Sequence, residues 1–171
     1  MAGGDVTKVV HYHPTVQKSA LSQLAEGIAL KYKNDPLFKD YIEDLKHYVD
    51  APVGKELKGL EQKLSEAGIS ASEIIYAIKS KEKFAKKLYR LQFSENAQLL
   101  LSHILAKIEV TFQRTIFPTI QKGCSTEVRT ESVLKLINEL YEEVGSCGLL
   151  DMQDLEGMLY FLTGNCHVEW L

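Results

Sequence analysis

Apolar residues recur at helical spacing along most of the chain, from Thr15 to the C-terminus. A period close to 3.6 residues places such positions on one face of an α-helix. The most regular stripe comprises Val133, Leu136, Ile137, Leu140 and Val144. The pattern predicts an all-α fold, a single compact domain built from several helices.

Capping residues, glycines and prolines divide this pattern into six to eight helices. Serine and aspartate favour the first position of a helix, whereas glycine and proline favour positions at or beyond its end. The predicted starts are Ser70 or Ser72, Ser94 and Asp151. The predicted ends are Pro36, Pro52, Gly68, Pro118 (an end or a kink), Gly145 and Gly164.

The first residues depart from the helical pattern. Val6 to His13 is rich in β-branched and aromatic residues, and Pro14 stops it. An unpaired strand either packs on its own domain or pairs with another chain. We therefore expect a short extended N-terminal arm over residues 1–14, a helical domain over residues 15–171, and a possible homo-oligomer formed through the arm.

Composition and charge narrow the class of protein. Apolar residues make up 45% and charged residues 25% of the chain, which is typical of a globular domain. The net charge of −3 predicts no overall attraction to nucleic acid or anionic membranes. No apolar run reaches the roughly 20 residues that span a bilayer. Three scattered cysteines are typical of a reducing compartment, so we expect a cytoplasmic protein without a membrane anchor.

One basic stripe is the exception to the balanced charge. Lys79, Lys83, Lys86 and Arg90 share one helix face and could contact phosphates. The simpler interpretation is a solvated face opposite the core. A nucleic-acid-binding subunit is therefore the alternative hypothesis, and we do not expect it.

The sequence contains no complete catalytic or metal-binding motif. His11 and His13 would share one face of a strand, but two imidazoles are too few for a zinc site. Cys166 and His167 are adjacent, and neighbouring side chains usually point apart. Calcium-loop, phosphate-loop and nucleophile-elbow patterns are absent from the sequence. We expect no cofactor, no metal and no enzymatic activity.

Residues 160–171 concentrate aromatic side chains and the single tryptophan around the end of a helix. Two interpretations remain open: the tail folds back into a gap in the core, or it forms a partner surface, since Trp and Tyr dominate interface hot spots. The predicted partner-binding residues are His11, Tyr12, His13, Tyr160, Asn165, His167 and Trp170.

The two ends resemble small helical domains at the C-termini of effectors in bacterial conflict systems, especially the ABC three-component type. The resemblance rests on Ala2–Thr7, a glycine-aspartate junction before a β-rich stretch, and on the terminal block Leu155–Trp170. It implies an adaptor or recruitment module in an antiviral defence complex. The implied partner is a protein, either an ABC-type ATPase component or a toxic effector.

Overall fold

The computed structural model describes residues 19–31, 41–50 and 58–171, and these are helical without any strand. The all-α prediction with six to eight helices is confirmed. The predicted arm, with His11, Tyr12 and His13, lies outside the described residues. The α-helices are α1 (Ala20–Lys31), α2 (Glu43–Val49), α3 (Leu60–Glu66), α4 (Ala71–Leu91), α5 (Glu95–Thr111), α6 (Phe117–Gln121), α7 (Thr126–Val144) and α8 (Met152–Gly164).

The predicted helix starts are found where local capping bonds form. The Ser70 side chain accepts a hydrogen bond from the Glu73 N–H, and the Glu73 carboxylate accepts one from the Ser70 N–H. Asp151 and Asp154 form the same reciprocal pair at the start of α8. Ser94 caps α5. Each pair satisfies backbone donors that a helix start leaves without a partner.

Pro118 does not end the long helix. A five-residue π-helical turn, Phe112–Ile116, joins α5 to α6, and Pro118 lies in the first turn of α6. The Phe117 N–H donates to the carbonyl of Phe112, five residues back. Proline lacks an N–H and its ring crowds the carbonyl four residues earlier. The wider turn accommodates this defect, so α-helical structure resumes at Phe117 and includes Pro118.

The core lies between α4 and α8, with α5 packed beside them. The largest helix–helix contact in the described ranges joins α4 to α8. The rings of Phe84 and Phe161 meet there edge to face, with their centroids 5.3 Å apart. On α5, Leu101, Ile104 and Ile108 are fully buried. Burial of this apolar surface is what stabilises the domain.

The shorter helices pack around this core. α1 contacts α5 and α7, α3 contacts α4 and α8, and α2 lies on α5. The backbone N–H of Ile42 donates to Gln98 Oε1 at 2.6 Å and so fixes the start of α2 on α5. No helix among residues 19–31, 41–50 and 58–171 is long and apolar enough to cross a membrane.

Candidate docking groove and the C-terminal tail

The C-terminal tail folds back onto α8. Cys166 has a positive φ of 65°, and this turn directs the following residues against the helix. The N–H groups of His167 and Val168 donate to the Leu162 carbonyl at 2.9 and 3.3 Å. A non-glycine residue in this conformation is uncommon and costs free energy, so the packing of the residues after it must maintain the turn.

Trp170 provides that packing. Its side chain stacks near Phe112, with ring centroids 5.0 Å apart, and its indole N–H donates to Thr163 Oγ1 at 3.0 Å. Only 4% of Trp170 is exposed. Of the two interpretations left open for the tail, the structure places Trp170 in the core. Trp170 is therefore accessible to a partner only at the small part of its surface that lines a neighbouring groove.

That groove lies among α3, α4, α7 and α8 and encloses about 170 Å³. Tyr160 and Trp170 contribute to its lining, together with Leu64 and Val133. Tyr76 and Leu134 also line it, and each is 43% exposed. A cavity near 150 Å³ holds a benzene-sized group. The groove, which we call the docking groove, is therefore large enough for one large apolar side chain.

Two carboxylates, those of Glu73 and Glu156, belong to the lining of the docking groove. The Tyr76 hydroxyl donates to Glu156, and burial, followed by this hydrogen bond and the carboxylate charge, raises the pKa of Tyr76. Burial also raises the pKa of Tyr160 strongly. Hydrogen bonds from the Ser70 side chain and backbone lower the pKa of Glu73. At neutral pH the two phenols are therefore uncharged and Glu73 carries a negative charge.

Arg129 brings the one guanidinium in the groove lining, and its charge acts on Glu73, whose pKa it helps to lower. Arg129 is 9% exposed, and its Nη1 donates to the Ala67 carbonyl at 2.8 Å. This bond ties α7 to the end of α3. The lining carries two carboxylates, exposed Glu73 and half-buried Glu156, against this one buried guanidinium, so the docking groove favours a partner with a basic group beside its apolar contact.

The other two tail residues predicted to bind a partner contact α2 of the same chain. The Asn165 side-chain amide donates to the carbonyls of Tyr48 and Val49 at 2.9 and 3.2 Å. The His167 ring lies 5.3 Å from that of Tyr48 and is 7% exposed. These two residues hold α2 against the tail, so the structure places them at a contact within the chain.

His167 also belongs to a cluster of possible metal ligands. His47, Glu109 and His167 each offer one ligand atom, and these three atoms lie within 4.8 Å of one another. His167 Nδ1 is 3.9 Å from Glu109 Oε1. The ligands come from α2, α5 and the tail, which are far apart in the sequence. The sequence therefore contains no motif of closely spaced ligands that would predict this cluster.

Cys166 and His167 contact different elements. The Lys81 ammonium on α4 has a Coulombic interaction with Cys166, whereas His167 lies beside Glu109 on α5. This fits the expectation that adjacent side chains point apart. Their side chains therefore do not form a pair in this structure.

Part of the basic stripe is neutralised by the start of α8. Lys83 Nζ lies 2.5 Å from Asp151 Oδ2 and 3.5 Å from Asp154 Oδ1. The neighbouring Lys87 pairs with Asp154 and donates to the Leu149 carbonyl at 2.7 Å. Lys79, Lys86 and Arg90 are exposed. Since Lys83 joins α4 to α8, the field available to a phosphate backbone is weaker than the sequence indicates.

The protein is thus an all-helical domain with an apolar docking groove that includes two carboxylates, and the C-terminal tail contributes Trp170 to the groove lining. A family model for C-terminal domain 9 of the ABC-three component (ABC-3C) systems matches residues 59–170. The chain belongs to this family. No curated protein matches the chain, and no solved structure does.

The family membership confirms the resemblance seen in the terminal block Leu155–Trp170, which lies within the matched residues. The other segment of the resemblance, Ala2–Thr7, lies outside them. The family points to a role in a bacterial defence system. A system of three components implies that the domain has protein partners.

Proposed function

We propose that this chain is a non-catalytic docking domain that couples components of an ABC-3C system. The docking groove carries the proposal. In this proposal the docking groove binds one apolar side chain, the anchor, of another component, either the ABC-type ATPase component or the effector. The groove lies within the residues matched by the family model, which is where a shared coupling surface would be found.

The shape of the docking groove supports a single anchor. Interfaces obtain most of their binding free energy from a few residues that enter well-packed pockets. The recess of about 170 Å³ fits one aromatic or branched aliphatic side chain. Tyr76 and Leu134 keep exposed apolar surface beside it. Covering that surface on binding is favourable because it removes apolar area from water.

The charge around the groove supports a basic neighbour for the anchor. Glu73 is exposed, and Glu156 is half-buried beside Tyr76. A lysine or arginine next to the anchor in the partner would face these carboxylates. Such pairs at the edge of an interface favour the correct partner and speed association more than they add affinity.

The main charged groups between α4 and α8 are engaged in structural contacts, and this supports a non-catalytic function. Lys83, Lys87, Asp151 and Asp154 are engaged in capping and ion pairs that fix α8 on α4. Groups held in this way stabilise the fold and leave no free nucleophile or base among the four. The homo-oligomer that the N-terminal arm predicts stays a separate prediction.

Co-expression with the tagged ATPase and effector components of the same system tests the proposal. Leu134→Glu places a charge at the groove and should abolish capture of the chain by its partner. Val110→Glu on α5 is the matched control, since Val110 is 49% exposed and outside the groove lining. If both variants lose capture equally, or if only Val110→Glu loses it, the partner does not bind at the docking groove. Failure of the wild-type chain to bind either component would refute the proposal.

A further inference from the structure

The cluster of His47, Glu109 and His167 has the composition of a transition-metal site. Two imidazoles and one carboxylate are common ligands of zinc, and three protein ligands leave a fourth position for water. We propose that these three residues bind a divalent transition metal, with Zn²⁺ as the physiological ion. The site would join α2, α5 and the C-terminal tail.

The distances are suitable for a site that tightens on binding. In a tetrahedral zinc site, ligand atoms about 2.0 to 2.1 Å from the metal lie about 3.3 Å from one another. The three ligand atoms here lie within 4.8 Å, and the nearest measured pair, His167 Nδ1 and Glu109 Oε1, is separated by 3.9 Å. The proposal requires the side chains to rotate about their χ angles until these atoms lie about 3.3 Å from one another.

The surroundings provide both rigidity and access. His167 is buried, with 4% of its side chain exposed, while Glu109 keeps 27% exposed and His47 lies on the surface. The ion can therefore reach the cluster from the His47 side. Water can fill a fourth position there. The rings of His47 and His167 lie side by side, with their centroids 5.1 Å apart, so both imidazoles border the same small space.

A second layer of contacts orients the ligands. The Tyr48 side chain donates a hydrogen bond to the Glu109 carboxylate. Asn165 holds the α2 backbone beside the site through the carbonyls of Tyr48 and Val49. Hydrogen bonds to ligating carboxylates and fixed ligand backbones are characteristic of metal sites in proteins.

The consequence for the domain is a metal-dependent attachment of α2. Among the contacts of this helix are the Ile42 bond to Gln98 and the bonds from Asn165. A bound ion would add bonds among three segments that the sequence separates widely. Zinc would thereby raise the stability of the folded state, because it binds that state and not the unfolded chain.

The full chain, stripped of metal by a chelator, tests the proposal. Zn²⁺ should bind with a stoichiometry of one in calorimetry and raise the Tm, whereas Mg²⁺ at the same concentration should do neither. Co²⁺ should give the visible absorption of a nitrogen- and oxygen-ligated site. His47→Ala should weaken zinc binding by about 100-fold or more, since even supporting contacts of a metal site contribute about 10- to 100-fold.

Two matched variants separate this site from other histidines. His103→Ala removes an exposed imidazole, also from α5, and should leave zinc binding unchanged. The double variant His11→Ala/His13→Ala should also leave it unchanged. Because His47 is exposed, its replacement should not affect folding without metal. An absent response of the wild-type chain to Zn²⁺ would overturn the proposal. So would a response that survives in His47→Ala or that disappears in His11→Ala/His13→Ala.

Discussion

Gly157 on α8 packs directly against Ser80 and Phe84 on α4. A β-carbon at position 157 would lie 2.8 Å from the Phe84 Cβ and would meet the Ser80 carbonyl oxygen at even shorter range. Both obstacles are rigid, since one is backbone and the other is the first atom of a fully buried side chain. The absence of a side chain at Gly157 therefore sets how closely α4 and α8 approach.

Gly157→Ala should destabilise the domain even though alanine is the better helix former. Alanine gains about 1 kcal/mol over glycine inside a helix, but overpacking a core costs about 1 to 3 kcal/mol. The helices must separate, so the net change should be a loss of stability. Urea unfolding followed by circular dichroism measures it. Gly27→Ala on α1 is the control, and should be neutral or stabilising because no atom of the described residues lies within 4 Å of the added carbon. A Gly157→Ala variant as stable as wild type would show that the helices are not held at this spacing.

Asp154→Ala should cost more stability than any exposed charge change. Asp154 is fully buried and pairs with Lys87 and Lys83 across the α4–α8 contact. Lys83 and Lys87 are partly exposed and stay hydrated, so the loss comes mainly from the hydrogen bonds to the buried carboxylate and should be about 1.5 to 3 kcal/mol. Glu139→Gln breaks an exposed pair with Lys135 and should change the free energy of unfolding by less than about 1 kcal/mol. Similar losses for the two variants would contradict this assignment.

The Lys83–Asp151 pair should make stability depend on pH at both extremes. Burial alone would raise the pKa of Asp151, but hydrogen bonds from Lys83 and from the Asp154 backbone outweigh it, so the pKa is lowered from 3.8. Its contribution is present above pH 3.8 and is lost as the pH falls through the lower folded value. Burial alone would lower the pKa of Lys83, but its bonds to Asp151 and the nearby carboxylates raise it above 10.5. Its contribution is present below pH 10.5 and is lost as the pH rises through the folded value.

Asp151→Asn should therefore reduce the dependence of stability on pH in both ranges. Asparagine is as good an N-cap as aspartate, so the start of α8 should survive the change. Glu127→Gln serves as the control. The pKa of Glu127 is lowered by its own backbone N–H and by Ser125, so this variant should affect the acid range alone. The measurement is the free energy of unfolding as a function of pH. If this free energy falls above pH 10.5 as much in Asp151→Asn as in wild type, the Lys83–Asp151 pair does not stabilise the fold.

Charge reversal of the exposed basic stripe should leave partner capture unchanged. Lys79→Glu/Lys86→Glu alters two exposed residues and spares Lys83, which joins α4 to α8. A nucleic-acid-binding chain would behave differently. Its affinity would fall, and the dependence of log affinity on log salt would weaken by about 0.9 for each phosphate that the variant no longer neutralises. Binding of duplex DNA or RNA at physiological salt that the double variant abolishes would restore the alternative hypothesis.

Helix type and most helix ends could be predicted from the sequence because their causes are local. Ser70, Ser94 and Asp151 each bond to a backbone N–H three residues ahead, and that spacing is visible in the sequence. The response to Pro118 was harder to foresee. Proline signals a defect in the bonding ladder, but whether the helix ends, kinks or widens depends on what packs against it.

Tertiary contacts assemble the lining of the docking groove, and of the residues in it the sequence indicated only Tyr160 and Trp170 for partner binding. Asp154 lies in the first turn of α8, a position typical of acidic residues, yet it is buried there and pairs with Lys83 and Lys87 of α4. Tyr76 and Leu134 both line the docking groove although they lie far apart in the sequence. Trp170 was identified as important, but its neighbours Phe112 and Thr163 could only be found in the folded chain.

The central claim is that the docking groove binds an apolar anchor of another component of the system. The most direct test is the affinity of the wild-type chain and of Tyr76→Ala for the component that co-purifies with it. Tyr76 lines the groove and is 43% exposed, so truncation should cost about 2 kcal/mol, or roughly 30-fold in Kd, as for an interface hot spot. Tyr89→Ala removes a more exposed tyrosine from α4, outside the groove lining, and should bind like wild type. Equal affinity of Tyr76→Ala and wild type would contradict the claim.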